Sequence, residues 1–157
     1  DHRDLHSFPT RRSSDLIKAR KVITLEEYAK TINIEALTML EMAKQDILPA
    51  VSSYVKELTD TALAKKALSD AIPTSVEEDL VTTLSNDLVS FVEKIDTLSE
   101  DVVKGNDIED AQEKANYYHD VVFAAMNELR AVSDEMETIT SSDYWPYPTY
   151  DELLFGV

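Results

Sequence analysis

Two stretches near the end of the chain decide how it is read: Asn116-Tyr-Tyr-His-Asp-Val-Val-Phe-Ala-Ala-Met-Asn-Glu-Leu-Arg130 and Asp143-Tyr-Trp-Pro-Tyr-Pro-Thr-Tyr-Asp-Glu-Leu-Leu-Phe155. Around the first, apolar residues recur at Ile108, Ala111, Ala115, Tyr118, Val122, Ala125, Leu129, Val132, Met136 and Ile139. The steps alternate between three and four, which is the seam of a long helix packed along its whole length. The spacing predicts a helix of about 31 residues, roughly 46 Å long. After it comes an aromatic, proline-punctuated tail, and eight of the twelve aromatic residues lie between Tyr117 and Phe155. So much aromatic surface must be covered, either by this protein or by a partner.

Working outward, Ser75-Val-Glu-Glu78 reads as a capping box. It opens a second helix with Val81, Leu84, Leu88, Phe91, Ile95, Leu98 and Val102 in the same steps. Gly105 suits a left-handed helix end, and Asn106 or Asp107 suits the cap of the next helix. Upstream, Thr24-Leu-Glu-Glu27 reads as another capping box before a helix with Tyr28, Ile32, Ala36, Met39, Ala43 and Ile47 on one face. Ile34, Leu37, Leu40 and Leu48 widen that face beyond a two-helix seam, so contact on more than one side is expected. Pro49 lacks an amide donor and its ring crowds the preceding turn, which predicts a kink near Leu48 with the helix resuming at Val51, Tyr54, Val55 and Leu58. The segment 59–72 is a weaker helix with Ala62, Leu63, Ala67 and Leu68 on its apolar side, and Pro73 marks a turn.

The fold class expected is therefore all-α: an antiparallel bundle of about three long helices, the first kinked near Pro49, with an extended aromatic C-terminal tail. Residues 1–16 stand apart, because codons chosen to spell Asp1 to Leu16 reproduce a standard short-read sequencing adapter. That segment is expected to be non-native and disordered. The helical region then occupies 17–140 and the aromatic docking tail 141–157.

Composition narrows the functions. The chain has 15 basic and 31 acidic residues, a formal charge of −16, and the first sixteen residues contribute three of each sign. Such a surface repels phosphate backbones and anionic lipids, so neither nucleic acid nor membrane is expected as a partner. There is no cysteine, which fits a cytoplasmic setting. His119 has Ala115, Asn116, Val122 and Phe123 at the positions where a helical metal site would place its second ligand, so it reads as a surface residue. Two glycines cannot form a phosphate-cradling loop. No catalytic, cofactor-binding or metal residue is expected in this chain. The contact candidates are Tyr144, Trp145, Tyr147, Tyr150, Leu154 and Phe155, expected to dock on this protein or a sister subunit.

Lys30-Thr-Ile-Asn-Ile-Glu-Ala-Leu-Thr-Met-Leu-Glu-Met-Ala-Lys-Gln-Asp-Ile-Leu-Pro-Ala-Val51, Tyr117–Arg130, Asp134-Glu-Met-Glu-Thr138 and Trp145–Phe155 together resemble the C-terminal end of bacterial type III glutamine synthetases, over roughly 28–157. That resemblance implies a larger α+β parent, a homo-oligomer of stacked rings. The parent joins ammonia to glutamate with ATP and Mg or Mn, giving glutamine, ADP and phosphate. The family's catalytic and metal-binding motifs lie upstream in a glycine-rich β-barrel domain, and none can be placed on this chain. The implied role is structural: packing against the chain's own catalytic domain and supporting contacts with sister subunits. The alternative is a free-standing acidic helical adaptor that binds a partner through its aromatic tail. No methionine precedes Met39, which weighs against it. An enzyme working at the bundle core ranks last, since the seams offer only apolar residues and Tyr118.

Overall fold

The structure, a computed structural model, describes residues 10–148 and 153. Among them there is no strand. The first helical run consists of α1 (Thr10–Met42), a π-helical turn (Ala43–Ile47) and α2 (Leu48–Leu68). These follow one another without interruption and form a rod roughly 90 Å long at 1.5 Å per residue. A short turn leads to α3 (Ser75–Asn106), and a second leads to α4 (Ala111–Tyr117), a π-helical turn (Tyr118–Val122) and α5 (Phe123–Ile139).

The three runs pack up, down and up. Lys65 and Lys66 near the end of α2 pair with Glu77 and Glu78 at the start of α3, and Lys44 donates to Ser99 Oγ at 3.2 Å, so α3 runs antiparallel to the rod. Lys94 on α3 reaches Glu128 on α5 at 2.5 Å, fixing the return run antiparallel to α3. The expected seams are the core: Leu84, Phe91, Ile95, Leu98 and Val102 of α3 meet Tyr118, Val122, Leu129 and Met136, all buried. On the rod the buried line is Ala29, Ile32, Ala36, Leu40, Ala43, Ile47 and Val51. Leu40 therefore belongs to the seam itself, whereas Met39 is half-buried and Tyr28 is exposed. In the segment 59–68 only Ala62 is buried, and Leu63 and Leu68 face outward.

Several local readings change. Thr24 is not a cap: it sits within α1, where its hydroxyl donates to the Arg20 carbonyl at 3.0 Å, the back-bond a mid-helix threonine makes when the helix runs through it. The helix begins at Thr10, so residues 10–16, expected to be disordered, are helical; residues 1–9 lie outside the described set. Nothing in 10–16 is a proline or glycine, and adding residues to an existing helix is far easier than nucleating one. The second capping box does not form, and the helix start moves back one residue, to an N-cap whose side chain makes no capping hydrogen bond. Thr74 is the N-cap of α3, and its buried hydroxyl donates to Glu78 Oε1 at 2.7 Å.

Pro49 is accommodated by the π turn, in which the Leu48 amide donates to the Ala43 carbonyl five residues back and the helix continues. The last run starts three residues later than expected. Asp110 rather than Asn106 or Asp107 is its cap, accepting from the Glu113 amide at 2.8 Å.

Gly105 has a different reason to be glycine. No glycine among the described residues has a positive φ, and Gly105 is buried inside the last turn of α3. A Cβ there would lie 2.9 Å from Cε2 of the Tyr118 ring. The ring lies close against Gly105 and cannot retreat, being 1% exposed and held at its hydroxyl. In a helix Ala normally gains about 1 kcal/mol over Gly, whereas forcing a methyl into a filled core costs about 1–3 kcal/mol. Gly105→Ala is therefore expected to lower the urea midpoint modestly and Gly105→Val markedly. An Ala variant more stable than the parent protein would show that the close approach is not binding.

Candidate functional site

Three features could carry function. The first is the aromatic tail where it leaves α5. Thr140 is extended and buried, which ends the helix and turns the chain back onto the rod. The amides of Tyr144 and Trp145 both donate to the Ser141 carbonyl, at 2.9 and 3.0 Å, giving a tight turn that presents their side chains to α2. The Tyr144 ring lies 5.5 Å from that of Tyr54, Trp145 joins the core cluster, and the Tyr147 hydroxyl donates to Asp46 Oδ2 at 2.5 Å. Asp46 lies within the first π turn, so the tail closes over the place where the rod changes its helical period. Burial and the Asp46 carboxylate push the Tyr147 phenol up to about 12, and the Glu57 carboxylate raises that of Tyr144. Of the six contact candidates, Tyr144, Trp145 and Tyr147 are thus brought together on the chain's own rod. Tyr150, Leu154 and Phe155 lie outside the described residues.

The second feature is a polar knot in the core. The Tyr118 hydroxyl lies 2.9 Å from Oδ1 of both Asn33 on α1 and Asn106 on α3. A phenol has one proton to give, so one amide accepts it and the other, turned over, presents its NH2 to the phenol oxygen. Burial raises the Tyr118 pKa, which keeps the phenol a neutral donor. A small hollow of about 320 Å³ opens beside it, with Lys30, Lys114, Glu26 and Glu109 at its edge. Sequence reasoning marked Tyr118 as the single polar member of its seam but missed Asn33 and Asn106. The signal was available, because a buried tyrosine hydroxyl demands partners.

The third feature is a groove of about 580 Å³ between α1 and α5. Phe91 and Leu129 form its floor, and Ile34, Met39, Met42 and Met126 line its sides together with Phe123. Met42 is 37% and Phe123 43% exposed, so the broad apolar stripe of the first helix is covered on one flank only. The second contact surface that the stripe called for is present but open in the isolated chain.

Among the described residues no group of three or more His, Asp or Glu side chains converges as a metal site would require. His119 is exposed, with Nδ1 2.7 Å from Asp120 Oδ1 and its ring 6.5 Å from that of Tyr28. Asp87 on α3 has one carboxylate oxygen buried without a partner, and its pKa is raised by burial and by the nearby Glu135 charge. Among the described residues no helix is long and apolar enough to cross a membrane.

Residues 12–66 match the family described as the glutamine synthetase C-terminal domain. The chain is 36% identical over 141 residues to a glutamine synthetase of Butyrivibrio fibrisolvens, an alignment covering 90% of this chain and 20% of that protein. It is 26% identical over 146 residues to a type-3 glutamine synthetase of Dictyostelium discoideum, and 24% identical over 143 residues to a glutamine synthetase of Bacteroides fragilis. Each of these alignments covers 88% of this chain and 20% of the relative. The chain spans about a fifth of the length of the curated relatives it matches. These matches support a glutamine synthetase C-terminal region.

The docked tail can be tested through its own chemistry. The folded Tyr147 pKa lies above the ordinary phenol value, so its contribution is fully present below about pH 10 and is lost as pH rises through about 12. Trp145 is the chain's single tryptophan, so its emission reports tail docking directly. A red shift with an apparent midpoint nearer 12 than 10 is expected, and Tyr147→Phe should remove that step. A midpoint near 10 in the unaltered chain would mean that Tyr147 is not held by Asp46 in solution.

Proposed function

We propose that this chain is the helical C-terminal region of a type III glutamine synthetase subunit, and that its own work is to pack against the catalytic domain and support contacts between sister subunits. The observation that carries this reading is the alignment of nine-tenths of the chain with one fifth of a glutamine synthetase, at 36% identity. Alignment of most of this chain with a minor share of a longer protein supports reading it as a module of such a subunit. The name of the Dictyostelium relative supports the type III assignment. The open apolar flank of α1 supports the packing role, because a face of that kind is normally covered in the assembled protein.

On this reading the parent enzyme joins ammonia to glutamate at the expense of ATP with Mg or Mn, in the cytoplasm, and that chemistry belongs to the remaining four-fifths of the subunit. The described residues of this chain offer no converging carboxylates for the divalent metal, so no step of the ligation is assigned to them. Tyr150, Leu154 and Phe155 remain candidates for contact with a sister subunit. Residues 1–16 are read as a translated adapter on the strength of their codon match, although the family match reaches back to residue 12.

Two measurements test the reading. The 157-residue chain, incubated with glutamate, ammonium, ATP and Mg, is expected to form no glutamine above the blank. Glutamine formation above it would place chemistry in this chain and overturn the division of labour. Sequencing the source DNA outward across the codon for Ile17 should reveal an uninterrupted frame leading into a glycine-rich catalytic domain. A stop codon followed by a fresh start at that point would favour the free-standing acidic adaptor instead.

A further inference from the structure

We infer that the groove between α1 and α5 seats a helix from outside this chain, one whose apolar stripe is flanked by lysine or arginine. The inference rests on the reading of the chain as part of a larger subunit, which supplies the source of such a helix.

Shape comes first. The groove runs along the rod from Ile34 to Ile47, about 20 Å, or between three and four helical turns. Its two walls, α1 and α5, run in the same direction and splay above the Phe91 and Leu129 floor, leaving a trough. A helix laid there would complete a four-helix arrangement with α3 on the opposite side. Three of its lining residues are methionines, whose unbranched, polarizable side chains adapt to an incoming apolar surface.

Charge then selects the occupant. The chain carries a net charge of −16, so a second copy would bring a like-charged surface against this one. Glu35 stands on the α1 wall with no ion pair among the described residues. The Arg130 guanidinium on the α5 wall is already paired with Asp134 at 3.6 Å. Uncompensated charge at the rim is therefore negative, and it favours cationic flanks. The tail of this chain is not the occupant as far as it is described, since Tyr144 and Tyr147 are engaged with Tyr54 and Asp46.

The test uses the whole chain and two labelled helical peptides of about 16 residues, sharing one leucine stripe and flanked by lysine or by glutamate. Fluorescence anisotropy is expected to show the lysine peptide bound and the glutamate peptide at least about 10-fold weaker. Met42→Glu and Phe123→Glu alter exposed side chains, so helicity should be retained, yet each should weaken the lysine peptide at least about 10-fold. Met42→Glu also makes the chain more acidic, so mere attraction to its overall charge would strengthen rather than weaken binding. Binding unchanged or tightened in these variants, no binding of the lysine peptide, or a dimer in sedimentation that the same substitutions dissolve would each overturn the inference. Neither the glutamine assay nor the DNA sequence reads the groove. Failure of the peptide test with those results intact removes the groove proposal alone, and the converse removes only the subunit reading.

Discussion

The hydroxyl of Tyr118 is the contact on which the arrangement of the three helical runs depends. Apolar seams in steps of three and four are permissive, because one run can slide past another by a heptad and still bury leucine against leucine. A buried phenol with partners on two other runs removes that freedom. Asn33 and Asn106 stand at single heights on α1 and α3, and a slide of seven residues would leave a buried hydroxyl and an amide without partners, at about 1–3 kcal/mol each. Gly105 is part of the same device. The ring lies close against it, and only a residue without a side chain lets the two runs close to that distance.

At the opposite end the hairpin of α2 and α3 is closed by charge. Lysine is scarce in this acidic chain, yet Lys65 and Lys66 are spent side by side on Glu77 and Glu78 at the start of α3. Hydrogen bonds from those lysines hold both carboxylates below the ordinary glutamate range, so they remain charged at the N-terminal end of the helix, where negative charge is favoured. The Lys66–Glu78 pair is largely solvent-facing and stabilises modestly, whereas Glu77 is mostly shielded from solvent; together the two pairs orient the turn. The bundle is thus held by polar geometry at Tyr118, by ion pairs at the hairpin, and by apolar contact between.

Most of the fold could be read from spacing alone. The residues of α3 and of the last run that recur every three or four positions are buried at the centre of each seam and half-buried at Val81, Leu88, Ile108, Ala111, Val132 and Ile139, because a packed helix turns that face to its neighbours. Spacing failed where a residue's role is set by a distant neighbour. Gly105 carries the signature of a helix end, and only the position of Tyr118, on a different run, reveals why it is a glycine. Thr24 carries the signature of a cap, but a threonine can equally bond the carbonyl four residues back once the helix extends upstream of it. The tail was legible as a segment that must be covered. Its landing place on Asp46 and Tyr54 was not, since nothing local links residues about a hundred positions apart. The open flank of α1 was foreshadowed by the surplus of leucine and isoleucine there, although its partner surface on α5 emerged only from the packing.

The two π-helical turns give the chain an unusual way of setting angles. A π turn holds one residue more than an α turn, and each residue of a helix turns the next by about 100°. The turn at Ala43–Ile47 therefore rotates all of α2 relative to α1, and the turn at Tyr118–Val122 rotates α5 relative to α4. Each acts as a phase adjuster: the rod stays continuous, and the buried line runs on through it, from Ala43 and Ile47 to Val51 in the first run and from Tyr118 and Val122 to Leu129 in the last. Loss of a single residue at either place would let the helix return to its ordinary pitch without breaking it, whereas the same loss inside an ordinary α-helical stretch would turn every side chain downstream by about 100°. These ten positions are thus where the helical runs can shed a residue with the least change to the faces they present.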